Sequence, residues 1–300
     1  MPKLSPKIIV LSGYGLNCEE ETALAFELSG GTADIVHIND LIAAPKILSR
    51  YQILAIPGGF SYGDDLGSGK AYANKLRNHL QKYLNDFTSK DKLVIGICNG
   101  FQILTNLGLL PGVLTFNDNN RYTDRWVDVK MAPSQAIQSA PSRPSAAESR
   151  GPEHSSDWIP DSFSDALKTS GMTNTVSPWL RGITSLSLPI AHGEGKFVAA
   201  DDIIKSIKQQ HQIAGVYYKG EVCRYQSLIP NPNGSLLDIA MLTSANGKIL
   251  GTMPHPERGI FFTQTPDWPL EKEKLIRSGK SLPEYTQALR IFKNAINYFL

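Results

Sequence analysis

Cysteine is scarce in this chain, with three in 300 residues. An odd and low number excludes a disulfide-stapled scaffold and points to a reducing compartment. No run approaches the roughly 18 apolar residues that a membrane-spanning helix requires, and the segment from Met1 to Ile9 has no apolar stretch of the signal-peptide kind. Charge of one sign is also lacking: 30 Lys and Arg stand against 28 Asp and Glu, a formal net charge of +2. That balance excludes a nucleic-acid binder driven by bulk electrostatics and a highly charged disordered chain. With 41% hydrophobic residues the chain has enough apolar mass for a sizeable core. The expectation is a soluble cytoplasmic protein with neither a nucleic-acid nor a membrane partner.

The first third alternates two patterns. Ile8–Leu11, Asp34–Ile38, Ile53–Ile56 and Leu93–Ile97 are short apolar runs bounded by turn residues, which predicts strands. Between them lie helical patterns. Leu24, Ala25 and Leu28 are expected on one face of the first, and Tyr72, Leu76, Leu80 and Leu84 recur every four residues in the second. Apolar strands separated by helices predict an α/β fold with a mostly parallel sheet flanked by helices, whose chemistry sits at the carboxyl ends of the strands. Further strands are predicted at 126–131, 184–190, 213–218, 239–242 and 248–253. The tail from Thr286 to Leu300 reads as a helix with Ala288, Leu289, Phe292, Ala295, Ile296 and Phe299 as its stripe.

Residues 133–174 break the pattern. From Pro133 to Asp157, Ser, Pro and Ala fill 15 of 25 positions and Ile137 is the one large apolar residue, too little to offset chain entropy on folding. This stretch is expected to be a surface insertion, partly disordered, with Trp158, Ile159, Phe163 and Leu167 available to dock a short helix.

Gly96-Ile97-Cys98-Asn99-Gly100 lies where a strand pattern meets a helix pattern. That is a nucleophile elbow with Cys in the place of Ser: the turn is tight enough to need small residues on both sides, and it raises the thiol at a helix N-terminus. A cysteine nucleophile needs a base and an orienting group. Pro254-His255-Pro256-Glu257 offers both, since residues two apart on an extended chain point the same way. His192-Gly193-Glu194-Gly195 is a second His-x-Glu pair after a strand, and composition does not choose between them. Cys18 and Cys223 lack elbow flanks and read as structural. No Cys/His spacing fits a zinc site. Gly67-Ser68-Gly69-Lys70 fails as a phosphate loop, and Gly13-Tyr14-Gly15 is followed by Cys18 where a dinucleotide fingerprint requires Gly, so no nucleotide site is expected.

The run from Gly96 to Gln102 together with Pro254-His255-Pro256-Glu257 resembles the triad-type class I glutamine amidotransferases. Gly58-Gly59-Phe60-Ser61-Tyr62-Gly63-Asp64 and Ala191-His192-Gly193-Glu194-Gly195 narrow the resemblance to the glutaminase subunits of phosphoribosylformylglycinamidine synthases, over residues 7–299. The resemblance implies a flavodoxin-like fold in one domain, residues 1–300, with 133–174 as an insertion. It implies Cys98 as nucleophile, His255 as base, Glu257 as its orienter, and the N–H groups of Gly59 and Asn99 as the oxyanion hole. Gly58, Phe60 and Gln102 would border the glutamine pocket, and His192 and Glu194 would belong to a site loop or a partner interface. It implies no metal and no cofactor in this chain. ATP and magnesium are expected on a partner synthetase subunit, with a small bridging subunit as a further partner. The competing readings are a glutaminase serving another synthetase, against which the Phe-Ser-Tyr-Gly-Asp and His-Gly-Glu-Gly motifs speak, and a non-catalytic module that keeps the elbow.

Overall fold

The apolar runs form strands. A computed structural model describes residues 5–132 and 177–300. Its strands are β1 (Lys7–Ser12), β2 (Thr32–His37), β3 (Ile53–Ile56), β4 (Leu93–Ile97), β5 (Val113–Thr115), β6 (Thr123–Met131), β7 (Ser185–His192), β8 (Lys196–Val198), β9 (Ile213–Tyr218), β10 (Ile239–Thr243) and β11 (Ile249–Thr252). Its helices among these residues are α1 (Glu19–Glu27), α2 (Ile38–Ala43), α3 (Lys70–Thr88), α4 (Asn99–Asn106), α5 (Asp201–Gln209), α6 (Glu221–Gln226), α7 (Trp268–Arg277) and α8 (Leu289–Asn297). The predicted insertion, residues 133–174, lies wholly outside the described residues.

Nine strands share one sheet in the order β2-β1-β3-β4-β11-β10-β9-β6-β7, while β5 and β8 pair separately. From β2 to β11 neighbours run parallel. From β11 to β7 they run antiparallel. The α/β class is as expected, with the parallel half carrying the elbow. Every residue of β3, β4 and β11 is buried, which is why these strands read as continuous apolar runs. The helix stripe Tyr72, Leu76, Leu80 and Leu84 is buried as predicted. Each such side chain contributes about 1.5–3 kcal/mol of burial free energy.

Two local expectations need correction. Leu24 does not face the core but is 42% exposed, and α1 instead buries Thr22, Ala23, Ala25 and Phe26. The helix is turned by Phe26, whose ring meets Phe292 of α8 edge-on at 5.0 Å and 89°. Ile38 is the first residue of α2 rather than the end of β2, because the His37 ring accepts the Asn39 backbone N–H at 3.2 Å and caps a helix there.

The β6–β7 hairpin positions the site from the far side. Thr123 pairs with His192 and Asp124 with Ala191 at one end, and Lys130 pairs with Ser185 at the other. The first end lies over the carboxyl ends of β4 and β11. Segment 133–176 joins at the second.

Candidate active site

Cys98 links β4 to α4 with φ +50° and ψ −104°, a backbone conformation that costs a non-glycine residue free energy of order 1–3 kcal/mol. Packing holds it there. A Cβ on Gly100 would lie 1.9 Å from the Ile56 carbonyl oxygen, and one on Gly96 would lie 2.5 Å from the Gly100 oxygen. The two flanking glycines therefore let α4 press onto β3 and β4 at backbone contact. The Cys98 N–H donates to the Thr252 carbonyl of β11 at 2.7 Å. The thiol is nearly buried and donates to the Ala191 carbonyl of β7 at 3.8 Å.

His255 follows β11, and its backbone N–H donates to the Pro189 carbonyl of β7 at 2.9 Å. Its Nδ1 lies 2.6 Å from Glu257 Oε1, with both side chains buried. A carboxylate accepts, so Nδ1 carries the proton and Nε2 is the nitrogen left for a thiol. Nε2 is itself buried with no hydrogen-bond partner. Burial is the largest single influence and pushes the imidazole pKa down, but Glu257, Cys98 and Cys18 together outweigh it and hold the ring well above its ordinary value.

The second His-x-Glu pair is built differently. His192 is buried, and its Nδ1 lies 3.1 Å from Asn117 Oδ1 rather than on a carboxylate. Asn117 Nδ2 donates to the carbonyls of Arg121 and His192, which fixes the amide's orientation. Its Oδ1, which also accepts the Gly195 N–H, can then only accept, so His192 Nδ1 is protonated and Nε2 bears a lone pair. Burial, helped by the charge of His255, lowers the His192 pKa to about 3, and the ring stays neutral. Glu194 points elsewhere: its carboxylate accepts the Ser68 N–H at 3.2 Å. Geometry thus separates two motifs that composition leaves equal, and it brings the Cys98 elbow to His255 and Glu257.

The loop after β3 comes close to the elbow. Phe60 N–H donates to Gly15 O at 2.8 Å and Asn17 N–H to Gly58 O at 3.1 Å, a short ladder that leaves the Gly59 N–H unused. Gly59 has φ +150°, and a Cβ there would lie 2.3 Å from Gly15 O. Asn99 opens α4, so its backbone N–H is among those a helix leaves without an internal partner. Its side chain fastens the loop: Oδ1 accepts Ser61 N–H at 3.3 Å, and Nδ2 donates to Asp64 Oδ1 at 3.3 Å and Gln102 Oε1 at 2.8 Å. Burial, with Glu194 nearby, raises the Asp64 carboxyl above its usual range.

Gly58 and Gln102 are both enclosed by neighbouring groups of the site. Gly58 lies buried beneath the His255 ring, where a Cβ would meet Cε1 at 2.6 Å. Gln102 is buried and gives its amide to the Glu194 carbonyl at 2.6 Å, so it braces the site rather than opening onto it. Phe60 is exposed, 5.9 Å from the equally exposed ring of Tyr122. Tyr122 also lies near Cys98 and His255, and burial, with the charge of Cys98, raises its phenol pKa. Tyr122 carries no motif, and the motif that contains Ala191 does not single out its carbonyl. Cys18, which reads from the sequence as structural, has its thiol within 4.8 Å of a His255 ring nitrogen, and burial raises its pKa.

A thiol on an elbow, a buried imidazole–carboxylate pair and backbone N–H donors are the parts that nucleophilic attack by a thiol requires. The chain belongs to the CobB/CobQ-like glutamine amidotransferase domain family, which matches residues 5–148 and 161–299. It is 40% identical over 311 residues to the phosphoribosylformylglycinamidine synthase subunit PurQ of Methanococcus maripaludis, covering 100% of this chain and 99% of the relative. It is 36% identical to the PurQ of Dehalococcoides mccartyi, covering 97% of each. Among solved structures, the PurLQS complex from Thermotoga maritima has a chain that superposes with a TM-score of 0.62 at 24% identity, covering 98% of this chain and 99% of that one, which shows a shared fold. No helix among the described residues is long and apolar enough to cross a membrane.

Proposed function

We propose that this chain is the ammonia-supplying subunit of a phosphoribosylformylglycinamidine synthase, hydrolysing glutamine to glutamate through a thioester on Cys98. The observation that carries the reading is the His255–Glu257 pair, 2.6 Å apart and buried beside a thiol held on a strained elbow. His255 takes the proton of Cys98, and the thiolate attacks the carboxamide carbon of glutamine. The N–H groups of Gly59 and Asn99 stabilise the oxyanion of the tetrahedral intermediate. The imidazolium, held by Glu257, protonates the leaving nitrogen, and ammonia departs. The same ring then activates a water that releases glutamate from the thioester. Phe60 and Tyr122 stand at the mouth and exclude solvent from the side chain being cleaved.

These steps draw on the chain's own groups. ATP and magnesium belong to the activation of the formylglycinamide ribonucleotide amide, a task for a synthetase subunit, with a small bridging subunit as a further partner. The names of the relatives support this division of labour, since they are called subunits of the synthase.

The experiment measures ammonia release from glutamine by wild type, Cys98→Ala and His255→Ala, alone and with the synthetase subunit. Both substitutions are expected to abolish glutaminase activity and to leave synthesis from added ammonia intact in the complex. Activity surviving in His255→Ala but lost in His192→Ala would overturn the assignment of the base. Absence of ammonia release by wild type with its partner present would overturn the enzymatic reading.

A further inference from the structure

Cys18 is the N-cap of α1, 80 positions from the elbow in the chain, yet it packs against the base. A thiol sulfur from Cys18, a ring nitrogen from His255 and a carboxylate oxygen from Glu257 all lie within 4.8 Å of one another. We propose that these three side chains form a binding site for a divalent cation of the zinc class, and that its occupation shuts the glutaminase off.

The donor set argues for the class of ion. One sulfur, one imidazole nitrogen and one carboxylate oxygen suit zinc and its soft relatives, not magnesium or calcium, which take oxygen ligands. Tetrahedral zinc with bonds of about 2.0–2.3 Å separates its ligands by roughly 3.3–3.7 Å. The cluster therefore closes on an ion through side-chain rotations of an ångström or so. A thiolate and a carboxylate also balance the two positive charges, which matters at a site where all three residues are at most 2% exposed.

Two further observations point to a ligand. Glu257 Oε2 is buried without a hydrogen-bond partner. Such atoms are rare in folded proteins and a cation would satisfy the carboxylate. The cluster also depends on Gly58: a Cβ there would stand 2.6 Å from His255 Cε1 and 3.3 Å from Cys18 Sγ, so only glycine lets the two side chains share this space. The backbone is braced around it, with Cys18 N–H on Gly58 O at 3.3 Å and Thr22 Oγ1 on Cys18 O at 2.7 Å.

On binding, the Cys18 thiol proton passes to water and the proton of the His255 ring moves from Nδ1 to Nε2, so the metal takes Nδ1 of a neutral imidazole. The ring is then held by the ion and cannot take the proton of Cys98. The fourth position is open to water or to the Cys98 thiolate. This proposal stands apart from the choice of synthetase and from the roles assigned to Gly59 and Asn99.

The test uses the full-length protein with cadmium as probe, read by thiolate-to-cadmium charge-transfer absorbance, and with zinc. Cys98→Ser keeps the three ligands, and it is expected to bind one cadmium with the thiolate band and to release it to competing zinc. Adding Cys18→Ser should weaken binding by roughly a hundredfold, the upper end of what outer-shell changes alone do to metal affinity. Measured against its own zinc-free rate, Cys18→Ser should need correspondingly more zinc for half-inhibition. X-ray absorption of zinc-loaded Cys98→Ser, which does not rely on a Cys18 variant folding, should show one sulfur at about 2.3 Å. The proposal falls if Cys98→Ser shows no band and no sulfur neighbour. It also falls if zinc inhibits Cys18→Ser as strongly as wild type.

Discussion

The side-chain amide of Gln102 donates to the backbone carbonyl of Glu194 at 2.6 Å, across 92 positions of sequence. That bond joins the helix behind the nucleophile to the His-Gly-Glu-Gly loop, and Asn99 extends it to the loop bearing Gly59. Replacing Gln102 by Ala leaves Asn99 Nδ2 and the Glu194 carbonyl short of a partner in a buried setting, which costs about 1–3 kcal/mol. The expected outcome is that loss in denaturant unfolding, with a rise in KM for glutamine larger than the fall in kcat, measured by glutamate release.

Strain at Cys98 inverts an ordinary ranking. Glycine normally destabilises relative to alanine, but φ +50° and ψ −104° favour it. Cys98→Gly should be more stable than Cys98→Ala by about 1 kcal/mol, with both inactive. Equal or reversed stabilities in urea unfolding would show that the elbow is not strained.

The flanking glycines allow no such relief. An added methyl at Gly100 stands 1.9 Å from Ile56 O, a backbone atom that cannot rotate away. Gly100→Ala should lose at least about 3 kcal/mol or fail to accumulate folded, as judged by circular dichroism and thermal melting.

Glu257→Gln preserves shape but replaces an acceptor-only carboxylate with an amide that can also donate, so the His255 tautomer is no longer fixed. Glutaminase kcat should fall by roughly 10²–10⁴-fold, by analogy with an orienting carboxylate replaced by its amide in serine hydrolases. Ammonia-dependent synthesis in the complex should be unchanged, and a fall in both activities would assign the residue to folding instead.

His192 gives a pH prediction. Its folded-state pKa of about 3 lies below the ordinary 6.5 of an imidazole, so the unfolded chain binds the extra proton first. The stability it contributes is complete above about 6.5 and is lost as pH falls toward about 3. In His192→Gln the fall in unfolding free energy over that window should be shallower than in wild type, measured by urea titration from neutral pH down to about 4.

The elbow could be read from five consecutive residues because its steric demand is local: a cysteine between glycines two positions away on either side. The His255–Glu257 pair was legible for the same reason. What tells it from His192 and Glu194 is not local, since the rejection of His192 rests on Asn117, 75 positions away, and on a carboxylate drawn off to Ser68. Gly58 and Gln102 were recognisable as site residues, but their direction was not. Tyr122 lies in no motif, Cys18 reads as structural, and the motif around Ala191 does not mark its carbonyl, because a backbone oxygen has no sequence signature and chain distance hides packing. Similarly, Leu24 was placed inward because one helix's period does not reveal that Phe292 would claim Phe26.

The β6–β7 hairpin has its catalytic end at Thr123 and His192, and the chain departs for residues 133–176 from the opposite end. Nine residues of strand, roughly 30 Å at the usual rise, separate the two. The end at residues 133–176 can change length while the pairing of Thr123 with His192, at the end over the thiol, is kept. It is also a natural place to graft a label, a surface tether or a second protein onto a working glutaminase.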